Sequence, residues 1–205
     1  MFDTSGRVRG LLPALLLCAG VAVAAAPDRE ESAPDAPSAS VKAGDTVPQG
    51  FASFTSTTLD ANRHCVVGAV ADEDGAHQRP FVYVEDTVAN RVLWSRALAL
   101  PANTQQARAT HCVRNRDSLY VLQQSDSQAG GQAQTRLQVV DLALATGDVQ
   151  GIRDVAVPGV TDAYSAWVDK GEEGMHMNGK NLVVAGEYAR VASPSNPAAF
   201  QTIVH

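Results

Sequence analysis

Beyond residue 50, short apolar runs alternate with turn formers. Phe81-Val82-Tyr83-Val84, Arg91-Val92-Leu93-Trp94, Ser118-Leu119-Tyr120-Val121-Leu122, Leu137-Gln138-Val139-Val140 and Asn181-Leu182-Val183-Val184 are brief, rich in β-branched and aromatic residues, and bounded by turn residues. That pattern predicts strands. No window of a dozen residues outside the N-terminal segment carries a helical stripe, so the predicted fold class is all-β.

The runs also repeat. Arg96-Ala97-Leu98-Ala99-Leu100-Pro101 and Arg153-Asp154-Val155-Ala156-Val157-Pro158 share an Arg, an apolar-Ala-apolar run and a closing Pro, 57 residues apart. A repeat of this length marks a copied supersecondary unit that closes its core by stacking on its neighbours. In the aligned copies Asn90 and Gly147 fall at equivalent turns, where a positive φ is needed. A third copy sets Asn181–Val184 opposite Ser118–Val121 and Phe200–Val204 opposite Leu137–Asp141, both at an offset of 63.

Tyr83-Val84-Glu85-Asp86-Thr87-Val88-Ala89-Asn90-Arg91-Val92-Leu93-Trp94 resembles the blade hairpin of quinoprotein-like β-propellers, of the form Tyr-Ala-Leu-Asp-x-x-Thr-Gly-Lys-Val-Leu-Trp. Val140 to Val149 resembles it with one extra residue, and Gln150 stands where the first copy has Trp94. The resemblance covers about two thirds of the mature chain. It implies blades of four antiparallel strands, with Trp94 packed between blades. About two and a half repeats are legible, the third running to His205. Three arrangements fit that count: a piece of a longer propeller, an open array of sheets, or two chains that complete each other through open sheet edges.

Arg7 and Arg9 precede an apolar run from Leu11 to Ala26, followed by small-residue cleavage sites such as Ala22-Val23-Ala24. This reads as an export signal over residues 1–24, leaving no transmembrane span in the mature chain. Cys18 offers a rival, a lipoprotein anchored at an acylated cysteine, although Leu17 before it is larger than that processing prefers. Residues 25–50 are Ala, Pro, Ser and acidic residues with almost nothing to bury, a linker expected to be disordered. Residues 51–205 form the repeat domain.

The whole chain carries a net charge of −6, and loss of the leader removes Arg7, Arg9 and Asp3, making it one unit more acidic. Such a balance excludes nucleic acid and anionic lipid as expected partners. Past the leader only Cys65 and Cys112 remain, and in an oxidising compartment they read as a disulfide joining successive repeats. Each follows a His, but neighbouring side chains on a strand point to opposite faces, which disfavours a shared metal.

Other chemistry is sparse. No G-x-S-x-G, G-x-G-x-x-G, P-loop, C-x-x-C or H-E-x-x-H motif is present, so no catalytic residue, cofactor or metal ligand is assigned. Met175-His176-Met177 has the soft donors copper favours, against a plainer reading as a loop or strand start between Gly174 and Gly179. Asp72-Glu73-Asp74-Gly75 is acidic like a calcium loop but lacks its alternating order, and reads as a solvated turn. Tyr164 and Trp167 form a candidate binding surface, although strand alternation sends them to opposite faces. The expected function is an exported, periplasmic or extracellular, non-catalytic module that binds a protein or a cell-envelope component. The alternatives are a fragment of a quinoprotein-type enzyme and an inhibitor of a secreted hydrolase or toxin.

Overall fold

A computed structural model describes residues 46–75, 77–127 and 133–205. The expected signal segment with Cys18, and the linker as far as residue 45, lie outside them. Among the described residues twelve strands form three antiparallel sheets. The first runs in chain order through β1 (Phe51–Thr58), β2 (Arg63–Val70), β3 (Arg79–Asp86) and β4 (Arg91–Ala97). The second repeats that order in β5 (Thr104–Asn115), β6 (Ser118–Ser127), β7 (Gln134–Ala143) and β8 (Val149–Val155).

The third sheet holds β9 (Tyr164–Trp167), β10 (Met175–Asn178), β11 (Asn181–Arg190) and β12 (Ser193–Val204). Both β9 and β10 pair with β11, β10 with Asn181–Val184 and β9 with Glu187–Arg190. They are therefore one inner strand cut in two by residues 168–174. The third unit repeats the first three strand positions, with no counterpart of β4 or β8 among the described residues. The predicted all-β class and the offsets of 57 and 63 hold: β3 corresponds to β7 and β12, and β6 to β11. Among the described residues the sheets are blade-like and form no closed barrel.

Meander connections follow from turn chemistry. Asn90 and Gly147 sit at φ 48° and 71°, as the alignment of the repeats requires. Residues 46–50, counted with the linker in the sequence, form a turn in which Ser95 donates to the Thr46 carbonyl (2.7 Å).

Alternation puts one face of each strand into a seam between sheets, so there are two cores. The first seam packs Cys65, Val67, Val82, Val84 and Trp94 against Ala109, Cys112, Leu119, Val121, Val140 and Leu142. The second packs Leu122, Leu137, Val139, Val155 and Val157 against Ala166, Val168, Met175, Leu182, Val184 and Phe200. Residues 119 and 121 of β6 face one seam and residue 122 the other, the period-2 rule at work. Cys65 and Cys112 are bonded, Cα to Cα 6.6 Å, and fully buried in the first seam. A disulfide of this kind belongs to an oxidising, exported environment. Among the described residues no helix is long and apolar enough to cross a membrane.

Candidate functional site

The first strand of each sheet is an edge strand, and the three edges converge on a groove of about 350 Å³. Thr55, Ser56 and Thr57 of β1 give it a hydroxyl wall, His111 and Val113 of β5 line its middle, and the β10 end closes it with Met177. Both long inner strands are bulged here. In β1 the register slips between Ser53 and Thr55, leaving Phe54 as the extra residue. In β5 it slips between Ala109 and His111, leaving Thr110. Bulges re-aim side chains, and these two aim toward each other: Thr55 donates to the Thr110 carbonyl (2.6 Å), tying sheet one to sheet two.

His111 is the hub. Its Nε2 lies 3.1 Å from the Gly171 carbonyl, an acceptor, so Nε2 carries the proton and Nδ1 accepts from the Thr110 hydroxyl (3.1 Å). The ring is 5% exposed, and burial pushes its pKa below the ordinary value. It is held neutral. Gly171 belongs to the segment that interrupts the third sheet's inner strand, and the segment's close approach requires Gly174: a Cβ there would stand 2.9 Å from His111 Nε2. The interruption therefore delivers Lys170 and Gly171 to β5.

Beside the groove, around Phe54, the surface is cationic. Arg108 Cζ lies 5.3 Å and Lys170 Nζ 4.8 Å from the Phe54 ring centroid, and His111 meets the same ring edge-on at 6.4 Å. Both cations are exposed.

The residues singled out in the sequence scatter over the fold. Cys112 borders the groove. Met175 and Met177 share one face of β10, as alternation requires, and pack into the second seam, Met175 being 2% exposed. His176 turns the other way, beside the Glu173 carbonyl (3.3 Å). The triplet begins a strand, as the plainer reading allowed, and its thioethers serve as core.

Asp72 pairs with His77 (3.0 Å) in the turn between β2 and β3, and Gly75 closes it by donating to the Asp72 carbonyl (2.8 Å). Among the described residues no group of three or more His, Cys, Asp or Glu is placed to hold a metal.

Tyr164 packs against the second seam, accepts from the Val157 N–H (3.1 Å) and lines a separate cleft of about 430 Å³. Its neighbour Ser165 points away from that seam and accepts from the Thr135 N–H (3.1 Å), and Trp167 shares that opposite face of the strand. The two aromatics do not form one surface.

The sequence did not point to Phe54, Arg108 or Lys170. Phe51-Ala-Ser-Phe-Thr-Ser-Thr-Thr carries enough aromatic and β-branched residues to be read as a strand, and that was the available signal for β1. No protein-family model matches this sequence, and no curated protein matches it either.

Proposed function

We propose that this protein is an exported, non-catalytic binding module of the periplasm or the extracellular space. Its ligand, a protein or a cell-envelope component, docks in the groove between the three inner strands. The carrying observation is that groove: three edge strands enclose a space walled by threonine and serine hydroxyls, with the bulged Phe54 packed on His111 beside it. Concave, partly apolar sites with a few convergent polar groups are the usual form of a ligand site. The Trp94 hairpin and its stacked four-stranded sheets further support kinship with quinoprotein-like propellers.

The test uses the full chain in a producing cell. A photo-crosslinking residue at Ser56, exposed on the groove wall, captures a defined partner that the same residue at Val149, exposed on β8, does not. Ser56→Trp, which fills the groove without touching either core, abolishes partner binding and leaves the melting temperature unchanged. Capture of the same products from both positions overturns the reading.

A further inference from the structure

We infer that the surface around Phe54, beside the groove where His111 meets it, is a site for an oxyanion, a carboxylate or phosphoryl group carried by the ligand. This deepens the binding-module reading and rests on it for the groove itself. In a chain with 22 acidic against 16 basic residues, cations are expected to find carboxylate partners. Arg108 and Lys170 do the reverse. They crowd one aromatic ring from two different sheets, and among the described residues neither has a hydrogen bond or an ion pair.

The carboxylates nearby do not pair with either cation. Asp126 shares a small hollow with Arg108 but accepts from Gln106 (2.9 Å) and Thr135 (3.0 Å). Asp169 and Glu172 flank Lys170 in the loop without pairing with it, and Glu172 lines both the groove and the hollow around His176 and Gln201.

The ring fixes both cations. Each gains about 0.5–1 kcal/mol from the Phe54 quadrupole at an exposed site, enough to orient a long side chain but leaving its N–H donors unmatched. Five guanidinium and three ammonium donors then face solvent beside a single ring. Two like charges held at one ring repel, and an anion drawn to that ring's surroundings lowers the repulsion while accepting from the unmatched donors. Neutral His111 behind the ring adds no competing charge, and its bond to the Gly171 carbonyl holds the Lys170 segment in place. The site thus spans all three sheets: Phe54 from the first, Arg108 and His111 from the second, Lys170 from the third.

The experiment is calorimetric titration of the full chain with tetraglutamate, with tetralysine as the opposite-charge control and acetate and inorganic phosphate as competitors. Tetraglutamate binds, weakens as salt rises, and loses at least tenfold in affinity to Arg108→Gln/Lys170→Gln at unchanged melting temperature. Lys170→Arg retains it. Competition by phosphate below the concentration needed with acetate assigns a phosphoryl group, and the opposite order a carboxylate; either upholds the site. Equal affinity of wild type and the double variant, or no binding of tetraglutamate and phosphate by wild type, overturns it. The two readings separate cleanly. A partner captured at Ser56 and held equally by the double variant removes the anion site and leaves the groove, whereas tetraglutamate binding with no partner captured at Ser56 does the opposite.

Discussion

The two seams join equivalent sheets by different means. Across the first, Cys65 is bonded to Cys112, the Trp94 indole donates to the Leu144 carbonyl (2.9 Å), and Arg96, 6% exposed, reaches Asp148 on the next sheet (2.7 Å). Arg114 adds a pair with Asp60 (2.9 Å). Across the second there is no covalent tie and no ion pair among the described residues. It is held by apolar packing and by neutral hydrogen bonds: the Val168 N–H to Gln124 (3.3 Å), the Thr135 N–H to Ser165 (3.1 Å), the Val157 N–H to Tyr164 (3.1 Å), and His111 on Gly171.

Arg153, the repeat counterpart of Arg96, bonds Asp141 within its own sheet (3.4 Å) and lies over Tyr120 instead of reaching across. One ancestral motif has thus become a clamp in one copy and a within-sheet contact in the other. Sheets one and two form a locked pair, and the third, which delivers Lys170 to the surface beside the groove, is the more easily displaced.

The largest test of that asymmetry is Trp94→Ala. The ring is 3% exposed and packs so closely on Gly147 that a Cβ there would stand 2.5 Å from it. Its removal costs about 3–5 kcal/mol by cavity formation. Gly151, not Gln150, holds the equivalent place in the second copy, opposite Asp141 as Trp94 is opposite Val84, and Gly151→Ala, with open space around the added methyl, changes stability by under about 0.5 kcal/mol. Urea unfolding of the two variants reads the contrast directly; equal effects would remove the distinction between the seams.

Cys65→Ala/Cys112→Ala comes next. The bond closes a separation of 47 residues, and its loss costs about 4 kcal/mol in loop-closure entropy. Hydrogen exchange then rises in β2 and β5 while β11 keeps its protection.

The first seam was largely legible in the sequence and the second seam's polar ties were not. The repeat register, the turn residues Asn90 and Gly147 and the Cys pair follow from local pattern or from spacing, and the inter-sheet place of Trp94 was implied by the resemblance of its hairpin. The groove is different. It depends on Phe54 and Thr110 becoming bulged, and on β9 and β10 being one strand split by a loop; these are places where the chain departs from its own repeat. Thr104–Asn115 reads as polar, yet Thr110 is fully buried and His111 nearly so, since its hydrogen-bond partners come from Gly171, 60 residues on. No local window holds that information.

Adjacent glutamines allow a finer comparison. Gln123 faces the first seam and donates to the Ala99 carbonyl (3.1 Å), whereas Gln124 faces the second and accepts from Val168. Gln124→Ala strands the buried Val168 N–H at about 1–3 kcal/mol, whereas Ala99 is exposed and its carbonyl turns to water in Gln123→Ala. Because the second seam has no covalent support, Gln124→Ala lowers hydrogen-exchange protection in β9, β10 and β11, and Gln123→Ala leaves those strands as they were. The same loss in both variants would mean that the sheets open as one unit.

The smallest effect is set by pH and belongs to the second seam alone. His111 is buried neutral, so its folded pKa lies below the 6.5 of the free side chain. Below pH 6.5 the unfolded chain takes up a proton that the folded chain does not, and stability falls with pH until the folded pKa is reached, by at most about 1.4 kcal/mol per pH unit. Above 6.5 the contribution is complete. Asp60, held below its ordinary value of 3.8 first by its hydrogen bond from Arg63, loses its contribution only in a lower window, so the interval just under 6.5 is free of it.

His111→Gln keeps a donor toward Gly171 and removes the titration. Its stability profile between pH 5 and 7 is flatter than that of the wild type, and the wild-type slope is matched by rising exchange in β9 and β10 with β2 unchanged. A wild-type slope that survives in His111→Gln would place the titrating group elsewhere and leave the second seam no softer in acid than the first.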